Sequence, residues 1–282
     1  MTNGRILKYA AFTDAGRGGN PAGVVLEAQG LDDVTRLGIA AELGYSETVF
    51  VDAAGPDGRR RVRYFSPRAE VDFCGHATVA AAVALAERGS GDRFDFDTRA
   101  GEIEVHTTGG PDGLTATLTS VPTRTRPADD DEVRDALEAL RWTSVLLDPR
   151  FPPHVSYAGN EHLVLAVRDR ATLAGLDYDF PRLASVMERR AWTTVHLVWA
   201  ESATVFHARD PFPPGGVVED PATGAAAAAF GGYLRDLSLV PAPVRVTVRQ
   251  GEDMGRPSRL IVDASSADRR VRVTGAAAPI TR

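Results

Sequence analysis

Four residues have side chains suited to proton transfer and lie beside predicted element starts. Glu47 opens a predicted strand, Cys74 and His76 begin an apolar helix, and Asp220 precedes the alanine-rich segment 224–229. Carboxylate, imidazole and thiol groups serve as general acids and bases when they are held close to a reacting proton. Backbone N–H groups at a helix start bind anions. The set therefore predicts acid–base chemistry on a small anionic molecule.

Each of these residues also has a structural interpretation. Asp220 before Pro221 is typical of an ordinary helix cap, with Pro221 at the first helical position. Glu47 also fits a solvated strand end, His76 a capping or core histidine, and Cys74 a small buried side chain. If His76 does stand at a helix start, the dipole is expected to lower its pKa and favour the neutral imidazole. On the residues alone, both interpretations stay open.

Composition and charge exclude several classes of protein. The 282-residue chain is 43% hydrophobic and carries a formal net charge of −6, which argues against a general nucleic-acid binder. No apolar stretch approaches the roughly 20 residues that span a bilayer, and the first residues lack the form of a signal peptide. The single cysteine leaves no internal disulfide and predicts a cytoplasmic setting.

The sequence also lacks the signatures of common cofactors. Of 32 basic residues only Lys8 is a lysine, and it lies inside a predicted strand, so a pyridoxal enzyme is disfavoured. The histidines show no metal-ligand spacing. No Walker, dinucleotide-binding or G-x-S-x-G motif occurs. We therefore expect neither a cofactor nor a bound metal ion.

Periodicity predicts the elements that position the four residues. Strands are predicted at 5–12, 24–26, 46–52, 60–66, 94–96, 101–107, 114–119, 145–146, 156–167, 193–199, 204–208, 244–249, 259–263 and 270–274. Helices are predicted at 32–43, 74–89, 131–140 and 179–190, with a further helix after Asp220. The polar segment 122–131 is predicted to be a linker, and its acidic run 129–132 a solvated helix start.

The two halves of the chain repeat one order of motifs. GNPAGVVL at 19–26 matches GNEHLVLAV at 159–167, and segment 63–82 matches 206–227, which pairs Cys74 with Asp220. Such a repeat predicts two duplicated units whose helix starts meet across a cleft. We place them at 1–121 and 122–282, with the last residues of the chain as candidates to join the first. Glu47 has no acidic counterpart in the second half, which favours a functional role.

Four motifs, in order along the chain, resemble the PhzF family, the phenazine-biosynthesis isomerase and its relatives. They are GNPAGVVL (19–26), SETVFV (46–51), FSPRAEVDFCGHAT (65–78) and EDPATGAAAAAFGGYL (219–234). The resemblance implies an α+β fold like that of diaminopimelate epimerase. It would have two pseudo-symmetric domains, each a mixed or antiparallel strand barrel around a central helix. It also implies cofactor-independent chemistry in the cleft and, commonly, a homodimer.

The resemblance carries functional roles onto particular residues. In the phenazine enzyme a glutamate, a histidine and an aspartate move a proton on trans-2,3-dihydro-3-hydroxyanthranilate. These match Glu47, the acid–base group, and His76 and Asp220, which would orient the substrate amine and assist the transfer. Further substrate-binding residues are expected at the helix starts and beside them: Asn20, Cys74, Gly75, Ala77, Thr223, Gly224 and Ala225.

Two departures limit what the resemblance implies. The related epimerases use two cysteines, at positions matched to Cys74 and Asp220, so the single cysteine excludes a two-thiol mechanism. The phenazine enzyme has a serine where this chain has Ala225, which removes a substrate hydrogen bond and puts that substrate in doubt.

Three functions remain open from the sequence. The leading hypothesis is an isomerase or epimerase that moves a proton on a small amino-carboxylate. The alternative is a non-catalytic protein that binds a small carboxylate in the same cleft. A purely structural or interaction protein would not need Glu47, His76 and Asp220 together. We expect a small-molecule partner, no nucleic acid, no membrane, and a cytoplasmic homodimer.

Overall fold

The chain forms two compact units in the computed structural model, which describes residues 6–110 and 113–281. The first unit comprises Met1–Thr119 and Thr274–Arg282, and the second Ser120–Val273. The predicted start of the first strand at Arg5 lies outside the described residues. In the described part of the chain, no helix is both long enough and apolar enough to cross a membrane.

The described part of the first unit is built from short strands and two helices. The strands are β1 (Ile6–Thr13), β2 (Asn20–Leu26), β3 (Glu47–Val51), β4 (Arg60–Phe65), β5 (Glu70–Val71), β6 (Arg93–Thr98), β7 (Gly101–Gly110) and β8 (Gly113–Thr119). The helices are α1 (Asp33–Leu43) and α2 (Gly75–Ala86). Strand β2 runs parallel to β3, β3 antiparallel to β4, β4 parallel to β6, and β6 antiparallel to β7. The two parallel pairs require crossovers, which α1 and α2 supply.

The two helices of the first unit differ in how much of their surface is buried. Helix α2 is apolar nearly all round, and every residue from Gly75 to Leu85 is buried against β1, β2, β3, β7 and β8. Helix α1 starts where Asp32 accepts a hydrogen bond from the Thr35 N–H and ends at Gly44, whose φ of 66° is left-handed. It packs Ala40 against Val25 and Phe50. Strands that are covered by helices are buried, so their sequences are continuous apolar runs, as VFV is in β3.

The second unit contains the remaining strands and four helices. The strands are β9 (Arg124–Pro127), β10 (His154–Tyr157), β11 (Glu161–Val167), β12 (Trp192–Ala200), β13 (Val205–Pro211), β14 (Glu219–Asp220), β15 (Val244–Gln250), β16 (Ser258–Ala264) and β17 (Val271–Pro279), whose C-terminal part belongs to the first unit. The helices are α3 (Asp130–Leu140), α4 (Arg170–Ala174), α5 (Phe180–Arg190) and α6 (Gly224–Asp236).

Strand pairing in the second unit follows the same order as in the first. Strand β11 runs parallel to β12, β12 antiparallel to β13, β13 parallel to β15, and β15 antiparallel to β16. The buried helix α6 packs against β9, β10, β11, β15 and β16. A Cβ atom on Gly231 would lie 2.5 Å from Val262 Cγ1, so glycine is what allows α6 to approach β16 closely.

One prediction of connecting structure is wrong, and a second is right only in part. Segment 122–131 is not a linker, because it contains β9, paired with β10, and the first turn of α3. Its acidic run does start a helix, and residues 129–131 are exposed as predicted. Glu132, however, is buried, accepts hydrogen bonds from Arg126 and closes the capping box with Asp129. In addition, Ser144–Leu146 forms a 3-10 turn instead of a strand, and the short helix α4 was not predicted.

Candidate active site

The start of α2 in the first unit gathers four polar side chains around one imidazole. His76 Nε2 lies 3.5 Å from Glu47 Oε2 and 3.5 Å from Ser46 Oγ. On the other side of the ring, Nδ1 lies 3.1 Å from Asn20 Nδ2 and 3.3 Å from Cys74 Sγ. The sequence predicted Glu47, Cys74 and His76 as reactive groups, and within this unit they lie side by side.

Local structure explains how these residues meet. Cys74 is the extended N-cap of α2, so Gly75 and His76 occupy its first two helical positions. Thr78 fixes this start, because both its N–H and its hydroxyl donate to the Cys74 carbonyl, at 3.1 and 2.7 Å. Glu47 opens β3 beside the parallel β2, which begins at Asn20 and not at residue 24 as predicted. The carboxylate and the amide therefore come from neighbouring strand starts.

Burial controls the charge of His76. The side chain is only 4% exposed, and burial lowers its pKa below the ordinary value for histidine. The charge of Glu47 and a hydrogen bond to the Pro21 carbonyl act in the opposite direction. The predicted direction of the shift is found, although burial is its main cause. A neutral imidazole has one donor and one acceptor nitrogen, so beside a carboxylate it can give or take a proton.

Asp220 lies in the second unit and within a strand. Helix α6 begins at Gly224 with Thr223 as its N-cap, so the predictions of a cap at Asp220 and of Pro221 at the first helical position are wrong. Asp220 is instead held by β14, where it pairs with Asp210 of β13. Its buried carboxylate accepts a hydrogen bond from the Thr223 hydroxyl through Oδ2, at 2.6 Å.

Gln250 holds this segment in place and was missed by the sequence analysis. Its amide nitrogen donates to the Asp220 carbonyl at 2.7 Å, and its oxygen accepts from the Thr223 N–H at 3.0 Å. Gly251 follows with a φ of 73°, and a Cβ there would lie 2.7 Å from the Pro221 carbonyl. The Gln-Gly pair at the end of β15 is the signal in the sequence that could have indicated a close approach.

The observed helix starts show that the predicted correspondence between residues of the two halves is wrong. Cys74 and Thr223 are both N-caps, an offset of 223 − 74 = 149, so Cys74 does not correspond to Asp220. The same offset places Asp220 opposite Val71, since 220 − 71 = 149. The error arose in the loop before β14, which has seven residues (212–218) against four (66–69) before β5.

Comparison with known proteins identifies the family of the chain. The family described as phenazine biosynthesis-like protein, PhzC-PhzF, matches residues 9–282. The chain belongs to this family. Its fold is accordingly the mixed α/β fold of PhzF proteins: the crystal structure of the Bacillus anthracis phenazine biosynthesis protein, PhzF family, superposes with a TM-score of 0.87 at 25% identity, over 98% of this chain and 96% of that one.

Two curated relatives of this PhzF-family chain are named as isomerases. An uncharacterized isomerase of Deinococcus radiodurans is 34% identical over 280 residues, covering 95% of this chain and 89% of the relative. The trans-2,3-dihydro-3-hydroxyanthranilate isomerase of Pseudomonas aeruginosa is 29% identical over 272 residues, covering 95% of this chain and 92% of the relative.

A buried polar network surrounds Asp210, the strand partner of Asp220, and was not predicted from the sequence. Thr194 Oγ1 donates to Asp210 Oδ1 at 2.8 Å, and His196 Nδ1 lies 3.0 Å from Asp210 Oδ2. His162 Nδ1 lies 2.8 Å from Thr194 Oγ1 and must donate, because that hydroxyl has only one proton. Nε2 of each histidine is buried with no hydrogen-bond partner among the described residues.

This network predicts a loss of stability in acid. Burial lowers the pKa of His162 to about 3, from an ordinary 6.5, against the opposing charge of Asp210. The unfolded chain therefore takes up a proton below pH 6.5 that the folded unit refuses, and stability falls as the pH falls towards 3. At pH 4.5, two units below the ordinary pKa, the contribution is on the order of 3 kcal/mol.

His162→Gln removes this titration and retains an amide donor for Thr194. We expect the difference in unfolding free energy between pH 7 and 4.5 to be smaller in the variant, by up to about 3 kcal/mol. Urea titrations followed by tryptophan fluorescence measure it, because Trp142, Trp192 and Trp199 all lie in the second unit. Equal pH dependence of the variant and the parent would contradict the assignment.

The remaining predicted substrate-binding residues lie in the first turns of two helices. Gly75 and Ala77 belong to α2 in the first unit, whereas Gly224 and Ala225 belong to α6 in the second. A cavity of about 760 Å³ lies elsewhere in the second unit, beside Trp142 and α3. Of the described residues that line it, none is a predicted site residue.

Proposed function

We propose that this PhzF-family protein is an isomerase that moves a proton on a small amino-carboxylate without a cofactor. Family membership and the isomerase names of its relatives support the reaction class. The observation that carries the proposal is the contact between Glu47 and the buried, neutral His76 at the start of α2. A carboxylate beside a neutral imidazole is suited to taking a proton from carbon and returning it.

In the proposed reaction each group has one task. Glu47 removes a proton from one carbon. The electrons of the broken C–H bond form a new double bond, the existing double bond shifts, and Glu47 returns the proton to a second carbon. His76 and Asp220 orient the substrate amine. The backbone N–H groups at Gly75 and Gly224 bind the carboxylate, because helix starts favour anions. We propose that the substrate binds in a cleft between the predicted lobes 1–121 and 122–282.

The substrate is proposed by class only. The Pseudomonas aeruginosa relative is named for trans-2,3-dihydro-3-hydroxyanthranilate, and Ala225 lacks the hydroxyl expected at its position for that molecule. We therefore propose a related amino-carboxylate with one polar group fewer facing Ala225. As further parts of the proposal, the protein acts as a homodimer in the cytoplasm.

Exchange of solvent deuterium tests this function. The protein is incubated in D₂O with trans-2,3-dihydro-3-hydroxyanthranilate and a panel of cyclic and aliphatic amino-carboxylates, and mass spectrometry detects C–D bonds. Incorporation into at least one compound is the expected result. Saturable binding of a carboxylate without incorporation would favour the non-catalytic binder, and neither binding nor incorporation across the panel would contradict both functions.

A further inference from the structure

Asp220 stands on a strand that is too short to hold itself in place. Strand β14 consists of Glu219 and Asp220, whereas strands usually have roughly three to ten residues. It pairs with Asp210 and Pro211 of β13. Because a strand of this length makes few ladder hydrogen bonds, other contacts must fix its direction.

Arg209 binds Glu219 as a buried, bidentate ion pair. Arg209 Nε lies 3.0 Å from Glu219 Oε1 and Nη2 lies 2.6 Å from Oε2, so both carboxylate oxygens accept a hydrogen bond. The two side chains are only 12% and 4% exposed. Arg209 Nη1 also donates to the Ala174 carbonyl at the end of α4, at 2.9 Å. The ion pair therefore anchors the residue next to Asp220 to a second element of the unit.

Holding Glu219 by its side chain fixes the direction of the next side chain. The neighbouring hydrogen bonds reach the main chain only: the Tyr178 hydroxyl donates to the Val218 carbonyl at 2.5 Å. The Gln250 amide donates to the Asp220 carbonyl at 2.7 Å. Successive side chains of a strand point to opposite faces. With the Glu219 carboxylate bound on one face, the Asp220 carboxylate is directed to the other.

Stability alone does not explain an ion pair at this place. Burial raises the pKa of Glu219 above its ordinary 4.5, against the opposing effect of the Arg209 guanidinium. Removing two charges from water is costly, and well-packed apolar residues of similar volume are often as stable or more stable. A guanidinium and a carboxylate, in contrast, fix both distance and direction through two parallel hydrogen bonds. The pair therefore suits a positioning role better than a stabilising one.

We propose that Arg209 is a positioning residue of the isomerase: by binding Glu219 it sets the direction of the Asp220 carboxylate, and thereby the recognition of the substrate amine. This role rests on the proposed function, in which Asp220 orients that amine. The helix starts bind the carboxylate of the substrate in the same proposal, so that contact does not depend on Arg209. Loss of the ion pair should therefore affect amino-carboxylates and spare the same carboxylates without the amine.

A double variant without the ion pair separates positioning from stability. Arg209→Met with Glu219→Leu leaves no buried charge unpaired, so urea unfolding should give a free energy equal to or above that of the parent. Amide hydrogen exchange, measured by mass spectrometry, should become faster in residues 218–223. For the amino-carboxylate that the parent deuterates fastest, kcat/KM should fall by about 10²-fold, the loss that a misplacement of about 1 Å causes. Calorimetry should give the parental affinity for the same carboxylate without its amine.

Two further variants make the result specific. Arg245→Met with Asp263→Leu is the matched control, because it removes an ion pair of 3.2 Å between β15 and β16 of the same unit in which Arg245 is 73% exposed. It should keep the parental rates of substrate deuteration and of amide exchange. Arg209→Lys keeps the charge but lacks the fork of donors, so it should show a smaller loss of the same kind. If the double variant does not fold, Arg209→Lys is judged by the same criteria.

The outcomes distinguish positioning from general disruption. A parental kcat/KM in the folded double variant, or unchanged amide exchange in residues 218–223, would overturn the positioning role of Arg209. Equal losses of affinity for the compounds with and without the amine would overturn it as well, because they indicate damage to the whole unit. If the parent deuterates no compound, the isomerase proposal fails, whereas amide exchange still decides whether Arg209 holds the strand of Asp220.

Discussion

Replacing Glu47 with glutamine is expected to lower deuterium exchange into an accepted amino-carboxylate by about 10²–10⁴-fold, the contribution typical of a positioned acid or base. Glutamine keeps the size and most contacts of the side chain but cannot take a proton. Glu47 Oε2 is the carboxylate oxygen next to His76 Nε2, at 3.5 Å, and the side chain is mostly buried. The loss should therefore fall on turnover and not on folding.

The experiment compares kcat, KM and thermal unfolding of Glu47→Gln with those of Glu42→Gln, an exposed position on α1. We expect kcat to fall in the first variant, with KM changed little and the unfolding temperature retained. The control should keep the parental rate. Exchange by Glu47→Gln within a few-fold of the parent would sink the assignment of Glu47 as the group that moves the proton.

The start of α2 was the most predictable part of the molecule. An apolar run such as VAAAVALA has no polar face, so it predicts a buried helix, and its first residues must then lie among buried strands. Glu47 opens β3, one of the apolar strands against which α2 packs. Because these elements are encoded by local pattern, the sequence predicted Glu47, Cys74 and His76 near element starts. In the structure one polar atom of each lies within 4.8 Å of those of the other two.

Long-range pairing was the part that local pattern could not supply. Strand β9, with the sequence RTRP, is polar and mostly exposed, and its hydrogen bonds to β10 make it a strand. Asp220 resembles a helix cap locally, yet its pairing with Asp210 holds it in β14. The contact between His162 and Asp210 through Thr194 joins residues far apart in sequence that carry no motif.

Asp210→Ala should be the most destabilising single change in the second unit that we can name, costing about 3–5 kcal/mol of unfolding free energy. Asp210 is fully buried and accepts hydrogen bonds from Thr194 Oγ1 and His196 Nδ1. Alanine leaves both buried donors without an acceptor, and the cost of that exceeds the cost of the lost packing.

Comparison with a surface acid isolates the effect of burial. Asp177 is exposed, and so is its partner Arg141. The change Asp177→Ala should therefore lower the unfolding free energy by less than about 1 kcal/mol. Urea unfolding followed by tryptophan fluorescence reports on the second unit for both variants.

A double variant separates the network from simple loss of volume. Adding His196→Phe to Asp210→Ala removes one of the two donors that the first change leaves without an acceptor. The double variant should therefore lose less unfolding free energy than the sum of the losses in the two single variants. Additive costs would mean that Asp210 and His196 are not energetically coupled, and a cost below 1 kcal/mol for Asp210→Ala would contradict the buried network itself. Because Asp210 also pairs with Asp220 through the backbone, the same substitution is expected to loosen the strand that holds the second acid of the proposed site.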